Sequence, residues 1–274
     1  MLDGVLLIHK PKEMTSHDVI NILRKRYHQK KFGHTGTLDP MAEGVLVVLC
    51  GKATKTLQFI HDTDKEYIAQ IQLGTFTTTD DIYGDILETK EINMDFHFQE
   101  VLDTFKGKIH QLVPMTSNKK VNGMKLLDYQ RKGLEVPKVY QDIEVYDIQA
   151  MDTLQFSVHC SSGTYVRSIC RDFGFKTNNA SCMKSLIRTK VGRFTLDQCQ
   201  TLEQLENQEP VLYSTKLVLD HYPMIELENI EPVVQGKTID LDCQEPIVCI
   251  TYQDQPFAIY EKCEQGYRSK RGLW

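Results

Sequence analysis

The 274-residue sequence lacks the features that mark membrane and secreted proteins. No apolar run approaches the roughly 20 residues that a membrane-spanning helix needs. The first residues, MLDG, contain no basic stretch followed by an apolar one, which is the pattern of a secretory signal. We therefore expect a cytoplasmic protein that has no membrane association.

The eight cysteines lack the spacing of a metal or redox site. They lie at positions 50, 160, 170, 182, 199, 243, 249 and 263, and none forms a Cys-x-x-Cys pair. A zinc site or a thioredoxin-like centre is therefore not indicated. Without a secretory signal, reduced thiols are the better expectation than a disulfide framework.

The chain also lacks the positive net charge that is typical of nucleic-acid-binding proteins, since its net charge is −5. The charge is unevenly distributed, however. Residues 106–138 hold eight basic and two acidic side chains, residues 160–193 hold seven and one, and residues 197–274 hold six and fourteen. Phosphate groups respond to local basic surface rather than to total charge. The two basic segments are either RNA-binding surfaces or solvated faces of an ordinary enzyme.

The most distinctive segment that is present is GHTGTLDP, at residues 33–40. Its glycines allow a close backbone approach to a ligand, and Pro40 biases Asp39 toward an extended conformation. The loop therefore presents one carboxylate in a stiff setting. The alternative is a polar turn in which His34 and Asp39 hydrogen-bond to their own backbone.

Residues 33–46 (GHTGTLDPMAEGVL) resemble the catalytic-loop motif of the TruB family of pseudouridine synthases. Four other segments resemble further motifs of that family, in its order and at its approximate spacing. They are residues 4–11 (GVLLIHKP), 64–67 (DKEY), 162–168 (SGTYVRS) and 186–194 (LIRTKVGRF). The resemblance covers roughly residues 3–205.

Hydrophobic periodicity predicts a mixed α/β protein with several antiparallel strand pairs. Strands are expected at residues 5–8, 45–49, 67–73, 143–148, 154–160, 247–250 and 257–260. Helices are expected after the capping-box pattern Thr15-x-x-Asp18 and at residues 51–60, 99–105, 124–132, 164–173 and 202–206, and a Thr/Asp-rich loop at 75–85. We expect a boundary near residue 219.

The resemblance implies the pseudouridine synthase fold, an α+β fold with a curved, mixed, largely antiparallel sheet. On this view residues 1–218 form the catalytic domain. Residues 219–274 then form a small β-rich domain that resembles a shortened PUA domain.

The resemblance also implies the reaction, which is isomerisation of uridine 55 to pseudouridine in the T arm of tRNA. This chemistry requires no cofactor and no metal, and no obligate protein partner is inferred. Asp39 is the residue that the family motif selects as catalytic, since an aspartate is ionised at neutral pH. Whether it adds to C6, attacks C1′ or removes a proton from C2′ stays open.

Five further residues match binding positions of the family. Arg167 matches the arginine that ion-pairs with the catalytic aspartate. Tyr67 matches the tyrosine that stacks on the target base, and its hydroxyl group is a candidate for assisting proton transfer at C5. Tyr165 and Leu186 match residues that line the uridine pocket. His34 is expected to fill the space that the extruded base vacates.

Lys10, Lys119 and Lys120 are candidate phosphate contacts, which would fix position without reading sequence. The chain departs from the usual family pattern at residues 77–79 (TTT) and 116–118 (TSN), which leaves details of RNA contact open. A phosphate-binding P-loop is excluded because Leu46 stands where that motif needs glycine. Two alternatives remain, a non-catalytic RNA-binding module and a related synthase that acts on another RNA.

Overall fold

The computed structural model describes residues 1–60 and 63–274. Within these ranges the α-helices are α1 (Ser16–Arg26), α2 (Phe98–Asp103), α3 (Leu126–Arg131), α4 (Val166–Lys176), α5 (Leu202–Asn207) and α6 (Glu231–Val234). Short 3-10 helices cover Gly51–Phe59, Leu196–Gln198 and Thr215–Val218. Among the described helices, none is both long enough and apolar enough to cross a membrane.

The strands of the first half of the chain are β1 (Gly4–Lys10), β2 (Phe32–His34), β3 (Glu43–Cys50), β4 (Lys65–Leu73), β5 (Thr75–Thr77), β6 (Ile86–Thr89), β7 (Gly107–Leu112), β8 (Lys120–Val121) and β9 (Met124–Lys125). Those of the second half are β10 (Tyr140–Asp152), β11 (Gln155–Cys160), β12 (Ser181–Val191), β13 (Phe194–Thr195), β14 (Gln200–Thr201), β15 (Leu212–Tyr213), β16 (Met224–Glu226), β17 (Ile247–Tyr252), β18 (Gln255–Cys263) and β19 (Gly266–Gly272).

The main sheet has the strand order β14-β1-β3-β12-β4-β11-β10-β7. In addition, β15 pairs with β1, β2 with β3, and β13 with β12. The pairs β1–β14 and β3–β12 are parallel, whereas β4 pairs in antiparallel fashion with both β11 and β12. The predicted mixed, largely antiparallel sheet is therefore confirmed. This order brings β3, β12 and β4 side by side.

Strand β1 is apolar on both faces because both faces of the sheet are covered there. Leu6 and Ile8 pack in one cluster with Val19 and Leu23 of α1. Val5 and Leu7, which point to the opposite face because side chains alternate along a strand, pack in another cluster that reaches into the C-terminal part of the chain. The buried faces of β1 thus hold the two parts of the protein together.

Helix α1 begins as its sequence predicts. The Thr15 side chain accepts a hydrogen bond from the backbone N–H of Asp18 at 3.1 Å, and Asp18 Oδ2 accepts one from the Thr15 N–H at 2.9 Å. This reciprocal capping box satisfies backbone donors that a helix N-terminus otherwise leaves open. It fixes the first turn of α1, whose Ser16 lies beside the Asp39 loop.

The C-terminal part forms a separate four-stranded sheet in the order β16-β17-β18-β19. Its own cluster includes Val233, Val248, Ile250, Tyr260 and Tyr267, all of which are buried. The β-rich character that was predicted for this region is confirmed. The cluster that contains Val5 and Leu7 also includes residues of this sheet, so the two sheets share apolar contacts.

Several local predictions were wrong or incomplete. Residues 51–59 form a helix of the 3-10 type, which ends one residue before the expected bound. The loop expected at residues 75–85 contains β5, which forms a hairpin with β6. The helix expected at residues 124–132 is only α3, because Met124 and Lys125 pair with β8 instead. Strand β12, in the middle of the sheet, was not predicted.

Gly44 permits the close approach of β3 to β12. Its φ is +114°, and a Cβ at this position would lie 2.2 Å from the backbone oxygen of Arg188. Any side chain here would push apart two neighbouring strands of the main sheet, because a backbone atom cannot swing aside as a flexible side chain can.

We expect Gly44→Ala to lower the free energy of unfolding by about 3 kcal/mol or more, since it combines a strained φ with a backbone clash. Gly107→Ala is the matched control, because Gly107 has a φ of +90° but nothing within 4 Å of an added Cβ. It is expected to cost only about 1 kcal/mol. Urea unfolding of both variants measures the difference, and equal losses would contradict the role of the close approach.

Candidate active site

The loop between β2 and β3 carries Asp39, and hydrogen bonds anchor the backbone of this loop. Leu38 is buried, and its N–H donates a hydrogen bond to Ser16 Oγ at 2.9 Å. The backbone oxygen of Asp39 accepts a bond from the N–H of Ala42 at 3.0 Å. With its neighbours anchored in this way, the Asp39 side chain extends toward a cleft and is 34% exposed.

Arg167, in the first turn of α4, lies against Asp39. Its Nε is 2.9 Å from Asp39 Oδ2, and its side chain is only 5% exposed. The contact is an ion pair and not an aligned hydrogen bond, because the N–H does not point at the oxygen. Arg167 Nη1 donates hydrogen bonds to Thr79 O at 2.8 Å and to Thr116 Oγ1 at 2.9 Å. The predicted pairing is thus present, with the arginine fixed by two other loops.

Asp81 is a second carboxylate near Arg167, and sequence reasoning assigned it no role. Its Oδ2 lies 3.7 Å from Arg167 Nη1, and the residue is buried. Oδ1 accepts hydrogen bonds from Thr79 Oγ1 at 2.6 Å and from the Tyr83 N–H at 3.0 Å. One arginine is therefore flanked by two aspartates, of which only Asp39 reaches the cleft that Tyr67 lines. In the sequence, Asp81 is recognisable only as an aspartate in a Thr-rich loop, and that pattern is also typical of a turn without a functional role.

The cleft has a volume of about 430 Å³, and five of the six predicted site residues line it. They are Asp39, Tyr67, Tyr165, Arg167 and Leu186. These residues come from the β2–β3 loop, β4, α4 and β12, and the fold brings them together although they are far apart in the sequence. The side chains of Tyr67 and Leu186 supply apolar surface to the cleft, and the Asp39–Arg167 pair supplies a charged end.

Tyr67 and Leu186 lie on the adjacent strands β4 and β12. Both are buried, at 7% and 6% exposure. Tyr67 is the cross-strand partner of Arg188. Burial raises the pKa of Tyr67 to about 12 even though the nearby Arg188 opposes the shift. The phenol is therefore protonated at neutral pH.

Tyr165 caps the N-terminal end of α4 and is held by a residue that sequence reasoning missed. The Gln111 side chain accepts a hydrogen bond from the Tyr165 N–H at 2.8 Å and donates one to Tyr165 O at 3.1 Å. Gln111 is only 3% exposed. A buried amide that satisfies both backbone groups of one residue fixes the start of the helix that carries Arg167.

His34 ends β2, immediately before the loop that carries Asp39. It does not line the main cleft but adjoins it through Thr35. Burial lowers its pKa, and the positive charge of Arg188 acts in the same direction. The imidazole is therefore neutral at pH 7. Its Nδ1 is buried and has no hydrogen-bond partner among the described residues.

The predicted phosphate contact at Lys10 was wrong. Lys10 is fully buried, and its Nζ donates hydrogen bonds to the backbone oxygens of Pro11 at 2.7 Å and Met14 at 2.6 Å. Burial lowers its pKa to about 8. Lys119, by contrast, lines the cleft and Lys120 is exposed, so both are accessible to a phosphate.

The chain is similar in sequence to known proteins. The profile of the "TruB family pseudouridylate synthase (N terminal domain)" matches residues 24–166. A Bacillus subtilis protein named tRNA pseudouridine synthase B is 44% identical over 220 residues, which cover 76% of this chain and 71% of that protein. A Clostridium tetani protein of the same name is 34% identical over 283 residues, which cover 97% and 98% of the two chains.

Solved structures show the same fold. A chain of a Cbf5-Nop10-Gar1 complex superposes with a TM-score of 0.71 at 22% identity, over 99% of this chain and 85% of that one. A chain of an H/ACA RNP bound to a substrate RNA containing 2′-deoxyuridine gives a TM-score of 0.70 at 21% identity, over 99% and 85%. Since the identity to the named relatives extends over most of their length, this chain belongs to the TruB family of pseudouridylate synthases.

Proposed function

We propose that the protein converts uridine 55 in the T arm of tRNA to pseudouridine, with Asp39 as the catalytic residue. The observation that carries the proposal is the Asp39–Arg167 ion pair at the polar end of a cleft walled by Tyr67 and Leu186. The relatives named tRNA pseudouridine synthase B support the choice of tRNA as substrate.

The reaction breaks the N1–C1′ bond of a uridine, turns the base and joins C5 to C1′. C5 loses its proton and N1 gains one, so substrate and product are isomers and no group leaves. Arg167 forms an ion pair with Asp39 and orients its carboxylate toward the sugar or the base. The attack at C6, the attack at C1′ and the removal of a C2′ proton all need this ionised carboxylate.

Tyr67 and Leu186 are proposed to hold the base between them. A planar uracil fits against an aromatic ring and an aliphatic side chain, and burial of both surfaces stabilises the complex. Because Tyr67 keeps its proton at neutral pH, its hydroxyl group suits donation of a hydrogen bond better than acceptance of a proton. Tyr165 closes the pocket from the start of α4.

The target base must leave its stack to reach Asp39, at a cost of a few kcal/mol. We assign His34 the role of filling the vacated space. A neutral imidazole stacks on bases without introducing a charge, and the lowered pKa of His34 keeps it neutral. Its unpartnered Nδ1 is available to a nucleotide in the complex.

We further propose that the protein has two domains, residues 1–218 for catalysis and residues 219–274 as a PUA-like domain. The separate sheet and separate cluster of the C-terminal part support this division.

We also propose that the protein acts in the cytoplasm without an obligate protein partner. Incubation of the purified protein alone with a tRNA transcript tests the absence of a partner, because a partner requirement would leave the transcript unmodified.

Two other functions are distinguished by the same assay. A non-catalytic RNA-binding module would bind the transcript without forming pseudouridine. A synthase for another RNA would leave uridine 55 unchanged, and mapping of pseudouridine in RNA from cells with and without the protein would locate its target. The buried arginine beside Asp39 favours catalysis, since a binding module has no need of a carboxylate on an RNA-facing loop.

Asp39→Asn should reduce isomerisation of a T-arm transcript at least 1,000-fold, an order-of-magnitude expectation for loss of a catalytic carboxylate. RNA affinity should stay within about threefold because the shape of the side chain is kept. Asp147→Asn is the control, since Asp147 also contacts a cation, Lys106, but is 53% exposed and distant in the sheet. Turnover by Asp39→Asn at a substantial fraction of the wild-type rate would refute the assignment.

His34→Ala should slow turnover more on a folded T-arm stem-loop than on an unstructured oligonucleotide. Only in the folded arm does extrusion of the base leave a gap in a stack. Rates on the two RNAs are measured together with the melting temperature. Equal losses of rate on the two RNAs, together with a lowered melting temperature, would show that His34 only stabilises the loop.

RNA binding should weaken steeply with added salt despite the negative net charge, because basic side chains displace counterions from phosphates. Lys119→Gln should reduce the slope of log K against log salt concentration by about one, whereas Lys237→Gln, in the acidic C-terminal part, should leave it unchanged. Filter binding at several salt concentrations gives the slopes. A slope near zero for the wild type would count against an RNA substrate.

A further inference from the structure

Arg188 is a buried cation that has no ion-pair partner among the described residues. It lies on β12 and is 2% exposed. Among residues 1–60 and 63–274, no carboxylate lies within 4.0 Å of its guanidinium nitrogens. Burial lowers its pKa. A buried charge without a paired carboxylate is costly, so the arginine is held there by other interactions.

Those interactions are hydrogen bonds to the loop that carries Asp39. Nη2 donates to Gly36 O at 3.1 Å and Nη1 donates to Thr37 O at 3.3 Å. Nε donates to Val45 O at 2.8 Å, at the start of β3. One guanidinium therefore contacts both ends of the loop. The loop cannot shift without breaking at least one of these bonds.

The same side chain borders the wall of the cleft that Tyr67 forms. Arg188 and Tyr67 are cross-strand partners on β12 and β4, and both line the cleft. The positive charge of Arg188 acts on the Tyr67 hydroxyl group, since it opposes the rise in the pKa of that phenol. Arg188 thus contacts the segment before Asp39 and lies beside the proposed stacking residue.

We propose that Arg188 is a positioning residue that holds the Asp39 loop in a fixed arrangement beside Tyr67. The proposal rests on the proposed function of the cleft and deepens it. A lysine cannot replace this arginine, because an ammonium is a point charge that lacks the planar fork needed to reach three carbonyls at once. Gly44 contributes to the same arrangement, because the absence of its side chain lets the β3 backbone approach that of Arg188.

The test uses Arg188→Lys in the full chain, with a folded T-arm transcript and single-turnover conditions at saturating enzyme. We expect the rate to fall about 100-fold, because small displacements of reacting groups have effects of this size. The dissociation constant for RNA should change less than about threefold. A loss confined to affinity would overturn the proposal.

Arg24→Lys is the matched control. Arg24 also donates to backbone carbonyls, those of Lys30 at 3.1 Å and Phe32 at 3.2 Å, but it does not touch the cleft. It should keep the wild-type rate. Both variants are assayed well below their melting temperatures, so that the folded fraction is the same. A wild-type rate for Arg188→Lys would overturn the proposal.

A double-mutant cycle with Tyr67→Phe separates positioning from support of the fold. Tyr67→Phe removes the hydroxyl group beside Arg188, so the combined loss of rate should be at least tenfold smaller than the product of the two single losses. A combined loss equal to that product, with a lowered melting temperature, would mean that Arg188 only stabilises the sheet. This result would overturn the proposal.

If Arg188→Lys does not fold, Arg188→Gln takes its place, since it removes the buried charge and keeps an N–H donor. Failure of both to fold would also overturn the proposal, because the arginine would then be a requirement of the sheet. The proposed function fails separately, if the wild-type protein itself forms no pseudouridine in the same transcript.

Discussion

The ion pair between Asp39 and Arg167 is the contact around which the cleft is arranged. The carboxylate is one-third exposed, whereas the arginine is almost fully buried. Removal of one member of such a pair leaves an uncompensated charge, which is strongly destabilising when the remaining charge is buried. Arg167 is in turn fixed by Thr79 and Thr116. The exposed member of the pair is therefore the carboxylate, which is the part that must reach a substrate.

The order of the strands brings together the residues that line this cleft. Strand β12 lies between β3 and β4, so its side chains reach the loop before β3 on one side and Tyr67 on the other. Helix α4 packs against β4 and β12 through Val166 and Ile169, in a cluster with Leu186. Strands β4 and β12 and helix α4 thus supply part of the lining of the cleft, and loop residues 35–39, 117–119 and 162–164 supply the rest.

Much of this arrangement was predictable because it is encoded locally. The capping box of α1 and the alternation of Tyr67, Ala69 and Ile71 in β4 need only neighbouring residues, and both are confirmed. Strand β12 was not predicted, because register shifts at Met183–Ser185 and Arg188–Lys190 interrupt its alternation.

The errors about charged residues have a different cause. The sequence shows that Lys10 and Arg188 are cations but does not show the carbonyls that surround them. Lys10 was therefore assigned to the surface, and Arg188 was passed over as an ordinary member of a motif. Burial of a charge depends on tertiary contacts from remote segments, here Pro40 for Lys10 and residues 36, 37 and 45 for Arg188. No local pattern reports such contacts.

Strand β1 has neighbours that come from very different parts of the chain, and this determines when its half of the sheet can form. Its partners β14 and β15 follow it by about two hundred residues, and its apolar cluster also contains Leu273. Contacts of such long sequence separation form late, because the closure of a long loop costs entropy before any contact repays it. The β10–β11 hairpin, by contrast, can form as soon as it is synthesised. The Asp39 loop is held by Arg188 of β12, so a growing chain completes this cleft only after residue 188 has emerged.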